Sequence, residues 1–470
     1  MSEIERYDVL VLGSGAGGKL TAWTSAAAGL RTAVVERGLI GGSCPNIACL
    51  PTKNIIHSAK VADFVRHDRE FGSGTAPAAV EMSEVRARKR RMVDGLVSMH
   101  MDKYKGSGAE LVIGEGRFVA SKTIEVRLKN GGVRTLYGDR VFLNLGTHAA
   151  VPDIPGLRAA KPLTHVELLE LDRLPSHLIV LGGGYVGMEF GQAFARFGSR
   201  VSVVERGAQL LSREDKDVSD TLVEFLHLDG VDIRLNAEVA QVEGLSGSCV
   251  RVTLRTSKGT SLLEGSDILA ATGRIPNTQN IGLDKTGVEL GAHGYIRVNE
   301  RLETTASGIW ALGECAGSPH FTHISEDDFR IVHTNLHGGS RNTHDRLIAF
   351  CLFTDPEIAR VGLSENEAAA AGRPYRLAKL PMTDVLRAQS LVETRGFMKA
   401  LVAHDSDEIL GFTAIGTSAG EIMSVVQTAM MGKLPYTVLG DAVFAHPTMA
   451  EGLNALFGMV PARARSGAGS

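Results

Sequence analysis

The chain has 470 residues, too many for one hydrophobic core, so about two to four domains are expected. Hydrophobic residues make up 44% and charged residues 22%, and 50 basic against 53 acidic side chains give a net charge of −3. That balance argues against a general nucleic-acid or anionic-membrane binder, and five cysteines, an odd count, exclude a secreted disulfide framework. No apolar run approaches the length of a membrane span, and the polar start Met1–Arg6 carries no secretory signal, so a reducing cytoplasm is expected.

Tyr7 to Leu12 reads as a strand, Leu20 to Leu30 as an alanine-rich helix, and Arg31 to Glu36 as a second strand. The turn Gly13-Ser14-Gly15-Ala16-Gly17-Gly18 matches G-x-G-x-x-G through Gly13, Gly15 and Gly18. Glycines there permit a tight turn and a close approach of backbone N–H groups to a pyrophosphate at a helix N-terminus. Glu36, closing the second strand, can accept hydrogen bonds from a ribose diol. This order indicates a Rossmann-type site for an adenine dinucleotide.

Just downstream lies Gly41-Gly42-Ser43-Cys44-Pro45-Asn46-Ile47-Ala48-Cys49-Leu50-Pro51-Thr52-Lys53. Two cysteines alone are more often inert core residues. Beside a dinucleotide fold, this close pair suits a disulfide that opens to two thiols, stores two electrons and closes again. Lys53 follows Cys49 by one helical turn and shares its face. Ser83 to Lys105 is expected as a helix, with Val85, Met92, Val93, Leu96 and Met99 apolar. Its basic cluster, Arg86, Arg88, Lys89, Arg90 and Arg91, is expected as a solvated face.

Gly146 to Pro162 suits a crossover into a second domain, where the first pattern recurs. His177–Leu181, Tyr185–Phe197 and Arg200–Glu205 read as strand, helix and strand, with Gly182, Gly184 and Gly187 in the turn and Glu205 at the end. Two dinucleotides in one chain imply electron transfer between them. Glu205 repels a 2′-phosphate and favours NAD(H) over NADP(H), although Arg206 and Arg213 offer charge to such a phosphate. A return crossover falls near Ala271–Asn277. Beyond Asp345 come strand-like runs at Leu347–Phe353, Met398–Ala403 and Ile409–Ile415, a helix near Ser418–Met431 and a frayed tail, Pro461–Ser470. Cys249, Cys315 and Cys351 are read as small core residues, and His320 and His323 as packing or cofactor-bonding groups. No metal site is expected.

The ordered motifs include the GG-S-C-x4-C-x2-T-K run, Ala271-Thr272-Gly273-Arg274, Ala311-Leu312-Gly313-Glu314 and His446-Pro447-x3-Glu451, besides the two glycine turns. Together they resemble the class I pyridine nucleotide-disulfide oxidoreductases, which include dihydrolipoamide dehydrogenase, glutathione reductase and mercuric reductase. Gly317–Ser325 and His446–Asn454 look most like the bacterial mercuric-reductase-like and hypothiocyanous-acid-reductase-like branch. The resemblance implies an α/β chain with two Rossmann-type dinucleotide-binding domains, for FAD and NAD(P), and a C-terminal α+β dimerisation domain. The FAD domain would span 1–149 and 274–344, the NAD(P) domain 150–273 and the interface domain 345–470. It also implies a homodimer in which His446 and Glu451 complete the active site of the other subunit.

The resemblance further assigns Cys49 as the flavin-facing thiolate, Cys44 as the interchange thiol that attacks substrate, and a Lys53–Glu189 pair beside the flavin. His446 is the expected acid–base residue, oriented by Glu451. Thr448-Met449-Ala450-Glu451 also reads as a capping box, in which Glu451 would only close a helix N-terminus. The expected FAD contacts are Gly13, Gly15, Gly18, Glu36, Gly42, Ser43, Lys53, Gly146, Thr147, Arg274, Gly313 and Glu314. Those for NAD(P) are Gly182, Gly184, Tyr185, Gly187, Glu205, Arg206 and Gly273, with Tyr185 covering the nicotinamide pocket. Glu314 stands where the family usually has aspartate, and Pro45 and Ala48 depart from the commoner loop residues. The implied activity is NAD(P)H-dependent reduction of a small disulfide or related oxidant. Alternatives are dihydrolipoamide dehydrogenase, hypothiocyanous acid reductase, metal-ion reductase and a non-enzymatic redox sensor or scaffold. Against metal-ion reduction, the C-terminal region lacks the vicinal cysteines that receive metal in mercuric reductase, and its N-terminal metal-binding domain is not in this sequence.

Overall fold

The computed structural model describes residues 3–74 and 79–463. Strand Ile4–Leu12 leads into helix α1 (Ala16–Ala27) and strand Thr32–Glu36, with the strands parallel from Val9 opposite Thr32 to Leu12 opposite Val35. All five residues of Thr32–Glu36 are buried, as a parallel strand covered on both faces requires. Val133–Leu143 lies parallel on the other side of Ile4–Leu12 and Ile309–Ala311 continues beyond it, while Glu110–Ala120 and Thr123–Leu128 form an antiparallel excursion.

Helix α2 (Cys49–Arg66) begins directly after the short turn Ser43–Asn46, with Pro51 in its first turn, where a missing N–H costs nothing. Thr52, Ile55 and Ala59 form its buried stripe at helical spacing. Helix α3 (Met82–Ser107) differs from the expected apolar pattern: Met82, Lys89, His100 and Tyr104 are buried, whereas Met99 is 45% exposed. Nor is the basic face simply solvated. Lys89 is buried against Glu170, which Arg90 also contacts, Arg86 reaches Asp172, and Arg88 bonds Asn54 and Ser58 of α2. Pairing with Glu170 is what lets Lys89 leave water.

The second sheet is the parallel set Asp267–Ala270, His177–Leu181, Arg200–Val204 and Asp232–Arg234, with helix α4 (Tyr185–Phe197) after its central strand. Every α4 residue from Gly187 to Phe197 is buried, and its Phe190 and Phe194 share a core with Ile55 and Ala59. A three-stranded antiparallel sheet, 238–265, flanks this unit. The two crossovers run side by side, Thr147–Ala149 antiparallel to Arg274–Pro276. Helix α5 (Thr322–Leu336) follows the Gly313–Gly317 turn. The C-terminal region is a five-stranded antiparallel sheet, with helix α6 (Ala419–Met431) against it. Its strands fall close to the expected runs, at Ala349–Leu352, Phe397–Ala403 and Ile409–Gly416. Residues 464–470 of the expected frayed tail lie outside the described residues.

Of the three isolated cysteines, Cys315 is buried and Cys351 half-buried, but Cys249 is exposed at the start of the central strand of the 238–265 sheet, not in a core. Asp215, Asp217 and Glu365 converge as a metal site would, yet the buried Lys399 ammonium lies 2.8 Å from each carboxylate and already stands as the cation of the cluster. No helix among the described residues is long and apolar enough to cross a membrane.

Candidate active site

The first glycine turn is built from three distant segments. Gly13 has φ +100°, and a side chain there would meet the Asn144 carbonyl. Asn144 Oδ1 accepts the Gly18 N–H at 3.0 Å, its Nδ2 donates to the Leu312 carbonyl at 2.8 Å, and Ser325 Oγ accepts the Gly17 N–H at 3.1 Å. Asn144 lies outside the ordered motifs, and Ser325 closes the Gly317–Ser325 run without an expected role. Glu36 accepts from Ser14 N–H and O–H and from the N–H groups of Gly38 and Leu39 at 2.7–3.0 Å. Its four acceptor sites therefore order the loop that carries Ser14, a role beyond the expected ribose contact.

In the second turn Glu205 accepts, among the described residues, only the Gly183 and Gly207 N–H groups, each at 2.7 Å, and Arg206 is exposed beside it. Gly182, Gly184 and Gly187 carry the chain into α4. Tyr185 opens that helix, with its ring beside Phe350 and Phe321 at 5.8 and 6.5 Å between centroids. Its hydroxyl donates to buried Glu214 at 3.3 Å, and Arg360 Nε lies 3.0 Å from the other Glu214 oxygen. Burial pushes the Glu214 carboxyl above its usual range, against the pull of Arg360.

Open space lies where side chains on Gly146, Gly184 and Gly273 would stand, a cradle suited to close approach by a dinucleotide. Glu314 is bound to Thr147 and lies 3.4 Å from Arg274 Nε, and Arg274 in turn donates to Thr147. Gly313 N–H donates to buried Asp328 at 2.7 Å, which fixes this turn. His165, only 6% exposed, faces Arg274 and Glu314; burial, then Arg274, drives its imidazole down to about 4, so it is neutral. Of the two candidate histidines near the turn, His323 bonds the Ala349 carbonyl at 2.8 Å and stacks on Phe321, while His320 sits 3.4 Å from the Tyr295 hydroxyl.

Cys44 and Cys49 are both free thiols, partly exposed. Cys49 is the first residue of α2, where the helix dipole favours negative charge. The Cys44 S–H hydrogen bond, the Thr322 hydroxyl at 3.3 Å and the Lys53 ammonium hold Cys49 below the usual thiol range despite its burial. The same hydrogen bond to Cys49, together with burial, raises Cys44. Lys53 Nζ lies 2.9 Å from both oxygens of Glu189, and one of these also accepts the Phe353 N–H at 2.9 Å. Cys44, Cys49, Lys53 and Glu189 therefore form one constellation, and Thr322, inside the Gly317–Ser325 run, joins it with no role expected from the sequence.

His446 and Glu451 are brought together but stand apart from this group. His446 Nδ1 is 2.9 Å from Glu451 Oε1 and 3.0 Å from Oε2, with the ring side chain 61% exposed. Among the described residues, no hydrogen bond or ion pair joins His446 to either cysteine. Half of the anticipated capping box forms, since Thr448 accepts the Glu451 N–H at 3.2 Å, but the Glu451 carboxylate turns to the imidazole and not back to the helix.

The family model for pyridine nucleotide-disulphide oxidoreductases matches residues 7–328, and the model of that family's dimerisation domain matches 348–456. The chain belongs to the pyridine nucleotide-disulphide oxidoreductase family. It is 34% identical to the Escherichia coli K12 protein named "Probable pyridine nucleotide-disulfide oxidoreductase RclA", across 97% of this chain and 100% of that one. Mercuric reductase of Shigella flexneri is 32% identical, across 95% of this chain and 79% of its own. Among solved structures, the HOCl-induced flavoprotein disulfide reductase RclA of E. coli superposes with a TM-score of 0.88 at 33% identity, covering 97% of this chain and 100% of that chain. This family member is therefore a flavoprotein oxidoreductase that uses FAD, and it carries the family's homodimerisation domain.

The arrangement around Cys49 has a consequence for pH. Its depressed value keeps the thiolate at neutral pH, and the thiolate is lost as pH falls through that value. Thr322→Val removes one donor to the thiolate and should move this loss upward by about one pH unit. Thiolate absorbance of the two-electron-reduced protein, followed against pH, measures the change.

Proposed function

We propose that this chain is an NADH-dependent reductase in which Cys44 and Cys49 carry electrons from FAD to a small disulfide or sulfenyl-type oxidant. The observation that carries this reading is the polarised thiol pair, with Cys49 held as thiolate by Cys44, Thr322 and Lys53. Residues 1–149 and 274–344 serve the flavin, 150–273 the nicotinamide nucleotide and 345–470 the dimer contact. FAD, when bound, relays a hydride's two electrons from the nicotinamide to the Cys44–Cys49 disulfide. The Gly13–Gly18 turn receives its pyrophosphate, and Glu36, Gly42, Ser43, Lys53, Gly146, Thr147, Arg274, Gly313 and Glu314 line it.

Gly182, Gly184, Gly187 and Gly273 give the nicotinamide nucleotide room, and Tyr185 covers its pocket until displaced. Glu205 keeps a carboxylate with free acceptor sites where an adenosine ribose would lie, which supports NAD(H) over NADP(H); Arg206 points the other way. In the reduced enzyme His446 of the partner subunit takes the Cys44 proton, and the resulting thiolate attacks one sulfur of the substrate, forming a mixed disulfide and expelling the other sulfur as thiolate. His446 of the partner subunit, oriented by Glu451 of the partner subunit, protonates that leaving group. The Cys49 thiolate then attacks Cys44 Sγ, expels the second substrate thiolate and restores the disulfide, so two electrons have passed to substrate. A reducing, cytoplasmic setting suits this chemistry. The mercuric reductase relatives make metal-ion reduction the second reading; it is weaker because Cys249, Cys315 and Cys351 supply no second vicinal pair.

Three outcomes test the reading. Cys49→Ser should abolish the long-wavelength thiolate-to-flavin absorbance of the NADH-reduced enzyme, whereas Cys44→Ser should keep that band and lose disulfide turnover; a normal band in the first variant would sink the assignment. With lipoamide, glutathione disulfide and hypothiocyanite as substrates, kcat/KM for NADH should exceed that for NADPH by about tenfold or more, given a like-charge penalty on the 2′-phosphate. Co-expressed Cys44→Ser and His446→Ala chains should regain about a quarter of wild-type turnover, since random pairing leaves one intact site in half of the dimers. No recovery would mean that the histidine serves its own chain.

A further inference from the structure

The redox loop touches α1 at its first turn, where a Cβ placed on Gly42 would stand 2.6 Å from the Gly15 Cα. Lys19 sits one turn farther along α1, its N–H bonded to the Gly15 carbonyl at 2.9 Å. Helix α3 brings His100, 4% exposed, against the same loop: a side chain on Gly41 would lie 3.1 Å from both the His100 ring and Pro45. His100 Nδ1 donates to the Leu96 carbonyl at 2.6 Å, which leaves Nε2 as acceptor, and Lys19 Nζ lies 2.8 Å from it. Trp23 supplies an aromatic face 5.9 Å from Lys19 Nζ and 5.5 Å from Lys103 Nζ.

Lys19 is therefore held by a neutral imidazole, and among the described residues no carboxylate forms an ion pair with it. The charged or titratable groups that face it are Cys44, Glu326, Lys103 and His100. Burial lowers Lys19, while Cys44 and Glu326 oppose that shift; burial also lowers His100, which keeps the ring an acceptor at neutral pH. Lysines withdrawn from water are usually matched by carboxylates, as Lys53, Lys60 and Lys399 are here. Lys19 is matched by none, and the redox thiol on which its charge acts is Cys44, as the charge of Lys53 acts on Cys49.

We propose that Lys19, oriented by His100, is the cation on the substrate side of Cys44 and draws small anionic oxidants to that thiol. This rests on the reading of Cys44 as the interchange thiol. The substrates favoured are singly charged sulfenyl-type oxidants and disulfides with a negative group close to the S–S bond, over neutral disulfides. His100 is a positioning residue that acts through Lys19.

The test uses the NADH-reduced holoenzyme and compares alkylation of Cys44 by iodoacetate, an anion, and by neutral iodoacetamide, with rates read from the Cys44 peptide by mass spectrometry. The ratio of the two rates should fall about fivefold in Lys19→Met, as expected for one unit charge a few ångströms away in a wet site. Lys19→Gln should behave alike, Lys19→Arg should keep the ratio, and high salt should shrink the difference. An unchanged ratio in the Met and Gln variants overturns the proposal. So does loss of flavin from those variants, measured as flavin absorbance per chain, since Lys19 would then serve the cofactor. Failure of the interchange assignment appears separately, as turnover retained in Cys44→Ser, because the alkylation ratio is read on the thiol itself.

Discussion

The ion pair between Lys53 and Glu189 is the contact on which the active-site geometry depends. It joins α2, which begins with Cys49, to α4, which begins with Tyr185, and so fixes the redox thiol relative to the second nucleotide turn. Removing both charges from water is costly, and the pair persists because each partner is further satisfied. Glu189 also accepts the Phe353 N–H, and Lys53 Nζ stands 4.7 Å from the Phe353 ring centre. The same seam is bolted again farther along α2. Lys60 and Arg196 both bind Asp355, while Arg196 also meets Asp63 and Asp229. Asp355 belongs to the C-terminal region, so one charged seam locks three parts of the chain around the thiols.

That rigidity makes an electrostatic difference between two identical side chains persistent. Cys49 lies at a helix start with a hydroxyl and an ammonium directed toward it, and Cys44 donates to it. Charge therefore settles on the sulfur nearer Lys53, and Cys44 keeps its proton until chemistry removes it. A thiol raised in this way is a slow nucleophile unless a base or a cation assists. In the proposed mechanism the His446–Glu451 pair would give that assistance by proton transfer and Lys19 by charge.

Much of the architecture was legible because its determinants are local. The strand–turn–helix units need glycine at fixed offsets, and the expected helix Tyr185–Phe197 and strand His177–Leu181 match the observed bounds. The close cysteine pair and Lys53 are likewise neighbours in sequence. Long-range partners were not legible. Asn144 and Ser325 order the first glycine turn from distant segments, and Thr322 reaches Cys49 across most of the FAD unit. Helix α3 misled for a related reason: periodicity expects apolar residues in a buried stripe, but Lys89 and His100 are buried through Glu170 and Lys19, partners that lie elsewhere in sequence. Cys249 was misread as core because its residue type was weighed without the strand's alternation, which sets it on the face of Arg251, Thr253 and Arg255.

The exposed His446 makes sense only in relation to the rest of the site. Glu451 occupies Nδ1, which leaves Nε2 pointing away from its own carboxylate, with the ring open to solvent. An imidazole oriented by a carboxylate carries a cost in side-chain freedom that solvent alone does not repay. Within its own chain it meets neither thiol, and the C-terminal domain that carries it is the family's dimerisation domain. Cys44 has the complementary deficiency: a raised thiol with a cation nearby but no base. Under the proposed assignment each half lacks what the other presents, and a two-fold dimer would supply both at once, because a symmetric interface that brings one histidine to one thiol must do so twice.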